Sequence, residues 1–207
     1  PETMSFDQGA MVEPLGVAMH AVNLTPFLLS ETMVIIGAGT IGLLSLLSAR
    51  MKGAGEIIIV DNNEYRLQAA KKLGADFAVN SKETDPIQLI KDRTRGAGAP
   101  AVIEAVGISE TANQSLLMTK NGGNVTWIGN SQPDIQINMQ QIVTRELKLR
   151  GSYGFASEFT AAIDAIRLNK IDPLQLAEKK IPFEETGQII DDLANGISSF
   201  VKIIVRI

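Results

Sequence analysis

Residues 32–61 read TMVIIGAGTIGLLSLLSARMKGAGEIIIVD. An apolar, β-branched run over 32–37 ends on a glycine, and Gly37, Gly39 and Gly42 complete a G-x-G-x-x-G string. An apolar stretch of helical period then covers 41–52, and a second apolar run over 56–61 closes on Asp61, nineteen residues after Gly42. Glycine is common, so the string alone says little. Placed after a strand, at the start of a helix, and followed by an acid at the end of the next strand, it is the arrangement that binds a dinucleotide. The first glycine permits the tight turn, the second lets backbone approach a pyrophosphate, and the third lets helix and strand pack closely. Thr40 and Ile41 lie at the helix start, where free N–H groups and the positive end of the helix dipole face the phosphates. The competing reading is that these glycines only shape a strand-to-helix turn.

Asp61 bears on which nucleotide is taken. Its carboxylate can accept from both hydroxyls of an adenosine ribose, whereas a 2′-phosphate there would meet like charge. At 4 Å and an effective dielectric near 20 two unit charges interact by about 4 kcal/mol, enough for a preference of about 10²-fold or more for NAD over NADP. Asn62 and Asn63 supply no compensating cation. Arg66 either lies over the adenine or ribose edge or is solvated on a first helical turn.

Working outward, β-branched runs at 32–37, 56–61, 76–79, 100–105, 123–128 and 147–152 alternate with helix-period stretches at 41–52, 63–73, 85–95 and 109–119. Alternation of this kind predicts βαβ units in an α/β fold, a doubly wound parallel six-stranded sheet of the Rossmann type. The connection over 131–146 has no clear pattern. Residues 13–22 read as a helix with Pro14 in its first turn, where the missing N–H costs nothing. After Ser152 the pattern changes to helical runs at 157–168 and 183–195, broken at Asp172-Pro173 and Ile181-Pro182, and closes on the apolar strand FVKIIVRI. The expected division is a nucleotide-binding domain over 15–152, with 1–14 and 153–207 as remnants of a second, catalytic domain at both ends.

Ligands of such sheets lie beyond the carboxyl ends of the strands, where strand order reverses. Val106 and Gly107, Ile128 with Gly129 and Asn130, and Ser152 with Tyr153 therefore become candidates for the nicotinamide half of the site. The other reading of Gly107 and Gly129 is that they merely form loops after strands. Glu104, just inside a strand end, is read as a hydrogen-bonded structural acid.

Composition narrows the function classes. Of 207 residues 45% are apolar and 20% charged, so a sizeable core can form and disorder is excluded. Four acids and no Lys or Arg occupy residues 1–49, while 50–207 hold 19 charges of each sign. No basic face emerges for a phosphate backbone, so nucleic acid is not an expected partner. Zero cysteines exclude a disulfide scaffold, a thiolate nucleophile and a cysteine-based zinc site on this chain alone. The 20-residue stretch 32–51 carries only Arg50 and is long enough to cross a bilayer, but its spaced glycines and the strand after it favour a buried strand and helix. No membrane association is expected. The chain starts on Pro1 and shows no signal peptide, which leads to expectations of a processed or truncated start and a cytoplasmic location.

The order EPLGVAMHAV at 13–22, VIIGAGTIGLL at 34–44, VDNNEYRLQAAKKLGAD at 60–76, VIEAVG at 102–107, NGGNVTWIG at 121–129, RELKLRGSYGF at 145–155 and the closing VKIIV resembles the medium-chain zinc-dependent dehydrogenases, nearest their sorbitol, polyol and polyol-phosphate branch, with threonine and butanediol dehydrogenases next. The resemblance implies hydride transfer between NAD and a secondary alcohol, a polyol or polyol phosphate, with zinc polarising the alcohol oxygen. It also implies that most zinc ligands and the cysteine-rich structural zinc lobe lie in an N-terminal catalytic part outside this sequence. Glu13 matches a glutamate that polyol dehydrogenases carry near the catalytic zinc. It is thus a candidate metal ligand or water-mediated neighbour, or else simply an acid favoured at a helix start. His20, the only histidine, is read as a packing or capping residue, with a proton relay as the alternative. Gly154 stands where sorbitol dehydrogenases carry an arginine, a departure that weakens sorbitol itself as substrate. Taken alone the chain is expected to bind NAD without turnover. Its rivals are a non-catalytic NAD-binding or regulatory module and a zinc-free reductase. The open edge at 147–152 predicts pairing into a homo-oligomer.

Overall fold

The computed structural model describes residues 1–195 and 200–207; residues 196–199, inside the segment assigned above to the tail, lie outside the described residues. Two N-terminal helices, α1 (Phe6–Ala10) and α2 (Val12–Leu24), lead into an alternating series: β1 (Met33–Ile36), α3 (Thr40–Lys52), β2 (Ile57–Asp61), α4 (Glu64–Lys72), β3 (Phe77–Asn80), α5 (Pro86–Arg93), β4 (Ala99–Glu104), α6 (Ser109–Met118), β5 (Thr119–Trp127), α7 (Met139–Val143) and β6 (Lys148–Gly151). The tail then forms α8 (Glu158–Arg167), a 3₁₀ turn at Pro173–Leu176, β7 (Ala177–Pro182), a second 3₁₀ turn at Phe183–Glu185, α9 (Thr186–Ala194) and β8 (Lys202–Arg206).

The six anticipated strands form one parallel sheet in the order β3-β2-β1-β4-β5-β6. Strand order therefore reverses between β1 and β4, where a ligand crevice opens at the carboxyl ends. Register brings the site residues level: Ile36 pairs with Val60 on one side and with Glu104 on the other.

Because alternate residues of a strand face opposite sides, the uninterrupted apolar runs fill two cores. Met33, Ile35, Ile57, Ile59, Ala101 and Ile103 pack on one side with Leu15 and Met19 of α2, Leu43 and Leu46 of α3, and Ala162 and Ile166 of α8. Val34, Ile36, Ile58, Val60 and Val102 face the other side and meet Ile90 of α5 and Met118 of α6. None of the described helices is long and apolar enough to cross a membrane, and the 32–51 stretch resolves into β1, the glycine turn and most of α3.

The tail adds a strand that the sequence reading did not contain. Ile181-Pro182, expected to break the helical runs, does lie outside any helix and ends β7, which pairs in parallel with β8. Alternating Glu178, Lys179 and Lys180 hide this strand from an apolar-run criterion, and proline is tolerated at its end. Helix α1, also unanticipated, is short and begins with a capping box: Gln8 N–H donates to Ser5 Oγ at 3.2 Å and Ser5 N–H to Gln8 Oε1 at 2.9 Å. Asp172 caps the 3₁₀ turn after it by accepting from Leu174 N–H at 3.1 Å.

Candidate functional site

The glycine turn is built on three different backbone demands. Gly37 has φ +101°, and a Cβ there would come within 2.9 Å of Val106 Cγ2, so both the conformation and the space require glycine. At Gly42 a Cβ would lie 1.8 Å from the Gly37 carbonyl oxygen, so this residue lets α3 close onto the end of β1. Gly39, the N-cap of α3, has φ −74° and, among the described residues, no heavy atom within 4 Å of where a Cβ would stand. Glycine is a favoured N-cap residue, but neither φ nor crowding requires it here; a close approach of backbone to a ligand would. Thr40 and Ile41 are half-buried in the first turn of α3, and the Thr40 hydroxyl donates to Val201 O at 2.7 Å.

Asp61, half-buried at the end of β2, faces this turn: its carboxylate accepts from Ala38 N–H at 2.6 Å and from Asn63 N–H at 2.9 Å. Four lone-pair sites on a carboxylate exceed two donors, so acceptor capacity remains. Beside it lies a recess of about 130 Å³. Of the residues expected to meet a cofactor, Gly37, Asp61, Asn62, Arg66 and Val106 line it. Its remaining wall includes Ser81 after β3 and Ile108, Glu110, Thr111 and Gln114 around the start of α6. Sequence reasoning missed this wall. The only available signal was position, since α6 follows directly from the strand end at the switch point.

The loops after β4 and β5 are pressed together. A Cβ on Gly107, whose φ is +83°, would stand 2.1 Å from Asn130 N, and one on Gly129 would stand 2.1 Å from Gly107 N. Both glycines therefore serve close backbone contact, which goes beyond loop formation. Glu104 organises the junction. It is 1% exposed, and its Oε1 accepts from Val106 N–H, Gly107 N–H and the Thr111 hydroxyl, each at 2.8 Å. Its carbonyl accepts from Ile128 N–H at 2.9 Å and Gly129 N–H at 3.1 Å. This is the hydrogen-bonded structural acid the sequence suggested. Ile128 and Gly129 are half-buried and Asn130 exposed in that loop. Ser152 is buried and its hydroxyl has no partner among the described residues, while Tyr153 is 90% exposed.

Glu13 is exposed in the first turn of α2. Further along the helix, His20 Nδ1 lies 3.1 Å from Glu158 Oε2 of α8, a close contact without the alignment of a hydrogen bond. Glu158 also accepts from Asn23 Nδ2 at 3.1 Å and from Ala156 N–H at 3.0 Å. Burial pushes the Glu158 carboxyl up, but the hydrogen bonds from Asn23 and Ala156 and the His20 contact outweigh it and hold it at about 2. Among the described residues no three His, Cys, Asp or Glu side chains gather where they could hold a metal ion. The described residues therefore do not fit a zinc site by themselves.

A family profile described as zinc-binding dehydrogenase matches residues 40–167. An uncharacterized zinc-type alcohol dehydrogenase-like protein of Haemophilus influenzae is 35% identical over 98% of this chain and 59% of its own length. The sorbitol dehydrogenase of Bacillus subtilis is 28% identical over 99% of this chain and 58% of its own. The crystal structure of L-idonate 5-dehydrogenase from Escherichia coli superposes with a TM-score of 0.90 at 27% identity, covering 100% of this chain and 59% of that one. The chain thus spans less than two thirds of the length of the proteins it matches. The strand order, the glycine turn with its acid and the family profile agree: this chain belongs to the zinc-binding dehydrogenase family.

Proposed function

We propose that this chain is the cofactor-binding portion of an NAD-dependent oxidoreductase that moves a hydride between NAD and a secondary alcohol, a polyol or polyol phosphate. The observation that carries the reading is the unfilled approach at Gly39, set between the N-terminus of α3 and an Asp61 with acceptor capacity to spare. In this reading the first N–H groups of α3, at Gly39, Thr40 and Ile41, take the pyrophosphate, and Gly37 and Gly42 hold them in place. Asp61 accepts from the adenosine ribose, with Asn62 and Arg66 at its rim. Val106, Gly107, Ile128, Gly129, Asn130, Ser152 and Tyr153 are assigned to the nicotinamide side, where backbone amides orient the ring and the apolar walls keep water from it. Bound NAD supplies the hydride acceptor. No step is routed through zinc, because the described residues do not assemble its ligands; Glu13 is assigned as one side chain reaching a metal held mainly by residues outside this sequence. The division into a nucleotide-binding domain over 15–152 and catalytic pieces at 1–14 and 153–207, and association of copies through the edge strand β6, belong to the same proposal.

Isothermal titration of the wild type and Asp61→Ala with NAD and with NADP tests it. The expected result is wild-type preference for NAD by about 10²-fold, eroded in Asp61→Ala. Asp61 also braces the glycine turn through Ala38 N–H, so a purely structural role would weaken both nucleotides in parallel and leave their ratio intact. That unchanged ratio defeats the ribose assignment. No heat with either nucleotide defeats the whole reading, and detectable alcohol oxidation by this chain alone contradicts the view that catalysis needs residues beyond it.

A further inference from the structure

The wall of the recess opposite Asp61 has a chemical character of its own. Val106 and Ile108 offer apolar surface, suited to the faces of a flat ring. Beyond them stand Glu110 and Gln114, one helical turn apart on α6, with Gln114 Nε2 donating to Glu110 Oε1 at 3.1 Å. A carboxylate only accepts, so it fixes the orientation of the glutamine amide: nitrogen toward Glu110, carbonyl oxygen away. The Thr111 hydroxyl, the other polar group on this wall, already donates to Glu104. Both residues line the recess, and the acceptors that their mutual bond leaves unused are the second oxygen of Glu110 and the carbonyl of Gln114.

We infer that Glu110, oriented by Gln114, accepts a hydrogen bond from the 6-amino group of adenine and so makes the site selective for adenine against 6-oxo purines. The inference rests on the dinucleotide reading above, which brings the base into this recess once the ribose is at Asp61. A 6-amino group is a donor and completes the pair; a 6-oxo group is an acceptor facing acceptors, and the N1–H that accompanies it lies one ring position away, so Glu110 must leave the position it takes for adenine to reach it. Neither Asp61 nor the glycine turn can make this distinction, because both address parts of the cofactor common to all dinucleotides of the type.

The test is fluorescence titration of the wild type, Glu110→Ala, Glu110→Gln and Asp61→Ala with NADH and with reduced nicotinamide hypoxanthine dinucleotide, whose base carries a 6-oxo acceptor in place of the 6-amino donor and an N1–H donor in place of the N1 acceptor. The wild type should bind NADH about tenfold more tightly than the hypoxanthine form. Glu110→Ala should bring the ratio close to one, chiefly by weakening NADH. Glu110→Gln, whose amide can donate to a 6-oxo group, should narrow the ratio by strengthening the hypoxanthine form. Asp61→Ala should weaken both and preserve the ratio. Equal binding of the two dinucleotides by the wild type, or a ratio unaltered in Glu110→Ala, overturns the assignment of Glu110 while leaving the dinucleotide reading in place. Failure of the wild type to bind either overturns that reading first. Glu110 is exposed, and circular dichroism with thermal unfolding verifies that its variants remain folded.

Discussion

Two glycines about 4.5 Å of helix apart should fail in opposite ways when each is replaced by alanine, if one is needed by the fold and the other by the ligand. At Gly42 the new methyl would be placed 1.8 Å from the Gly37 carbonyl oxygen and 2.9 Å from its carbon, both backbone atoms. Reaching an ordinary C···O separation of about 3.4 Å requires the start of α3 to move by about 1.5 Å from the end of β1. Overpacking of this kind costs about 1–3 kcal/mol, and a rigid backbone obstacle argues for the upper end, near 3 kcal/mol. For a chain of this size that is a fall in Tm of about 6–12 °C. At Gly39 the methyl meets none of the described residues, and φ is −74°. Loss of a good N-cap and the gain from a stiffer unfolded chain, each about 0.5–1 kcal/mol, offset one another, so Tm should stay within about 2 °C. Binding should move the other way. A methyl at Gly39 holds the pyrophosphate off the α3 amides, and losing one hydrogen bond to a charged group, about 1.5–3 kcal/mol, weakens NAD by about 10- to 150-fold. Thermal unfolding followed by circular dichroism and calorimetric titration with NAD read the two effects separately. Gly39→Ala with unaltered affinity at unaltered Tm would refute the argument, since a modest N-cap preference would then be all that glycine serves there.

Two further perturbations address carboxylates. Glu104→Gln replaces a buried acceptor of three donors by an amide whose NH₂ enters the same pocket, and should destabilise the chain by about 2–3 kcal/mol in urea unfolding while weakening NAD through the loosened Val106-Gly107 backbone; a shift below about 0.5 kcal/mol would show that this junction does not depend on the charge. Glu158, held at about 2 against an ordinary 4.5, contributes stability that is fully present above about pH 4.5 and is lost as pH falls toward about 2. With a side chain only 9% exposed, the loss should be on the order of 2–3 kcal/mol. Glu158→Gln should flatten the urea midpoint in that window, and an identical pH slope in the variant would assign the acid sensitivity elsewhere.

The sheet was legible because a parallel sheet covered on both faces needs apolar residues at every strand position, so β1, β2 and β4 stand out as runs with no alternation to interpret. The glycine turn was legible because its three glycines and Asp61 are spaced by geometry that side-chain packing cannot replace. What escaped notice depends on pairing across long separations. Strand β7 carries the sequence AEKKIP and becomes a strand only through β8, about 25 residues later. Glu158 sits between Ser157 and Phe159, and nothing local says that Asn23 and His20, on a helix more than a hundred residues upstream, will enclose it. Tyr153 was placed only by its position after a strand end; its side chain is 90% exposed in a chain that spans part of its relatives' length.

Asp61 and Glu104 make the underlying rule visible. Both are acids at the carboxyl end of a central parallel strand, and from sequence position alone either could serve a ligand. Their surroundings separate them. Three donors converge on one oxygen of Glu104, two from the backbone of the loop that follows and one from α6, and the residue is closed off from solvent. Its hydrogen-bonding capacity is directed into the fold, and its product is the fixed position of Gly107 against Gly129. Asp61 takes one N–H on each oxygen, stays half-exposed and borders the recess, so it can brace the glycine turn and still have acceptor sites to offer. The same functional group thus builds the scaffold in one strand and, in the proposed reading, is left to meet a ligand in the next but one, and the difference lies in how many of its lone pairs the protein has already engaged. Applied to the remaining wall, this criterion selects Glu110, whose one described side-chain partner is Gln114, as the acid still able to take a donor from outside.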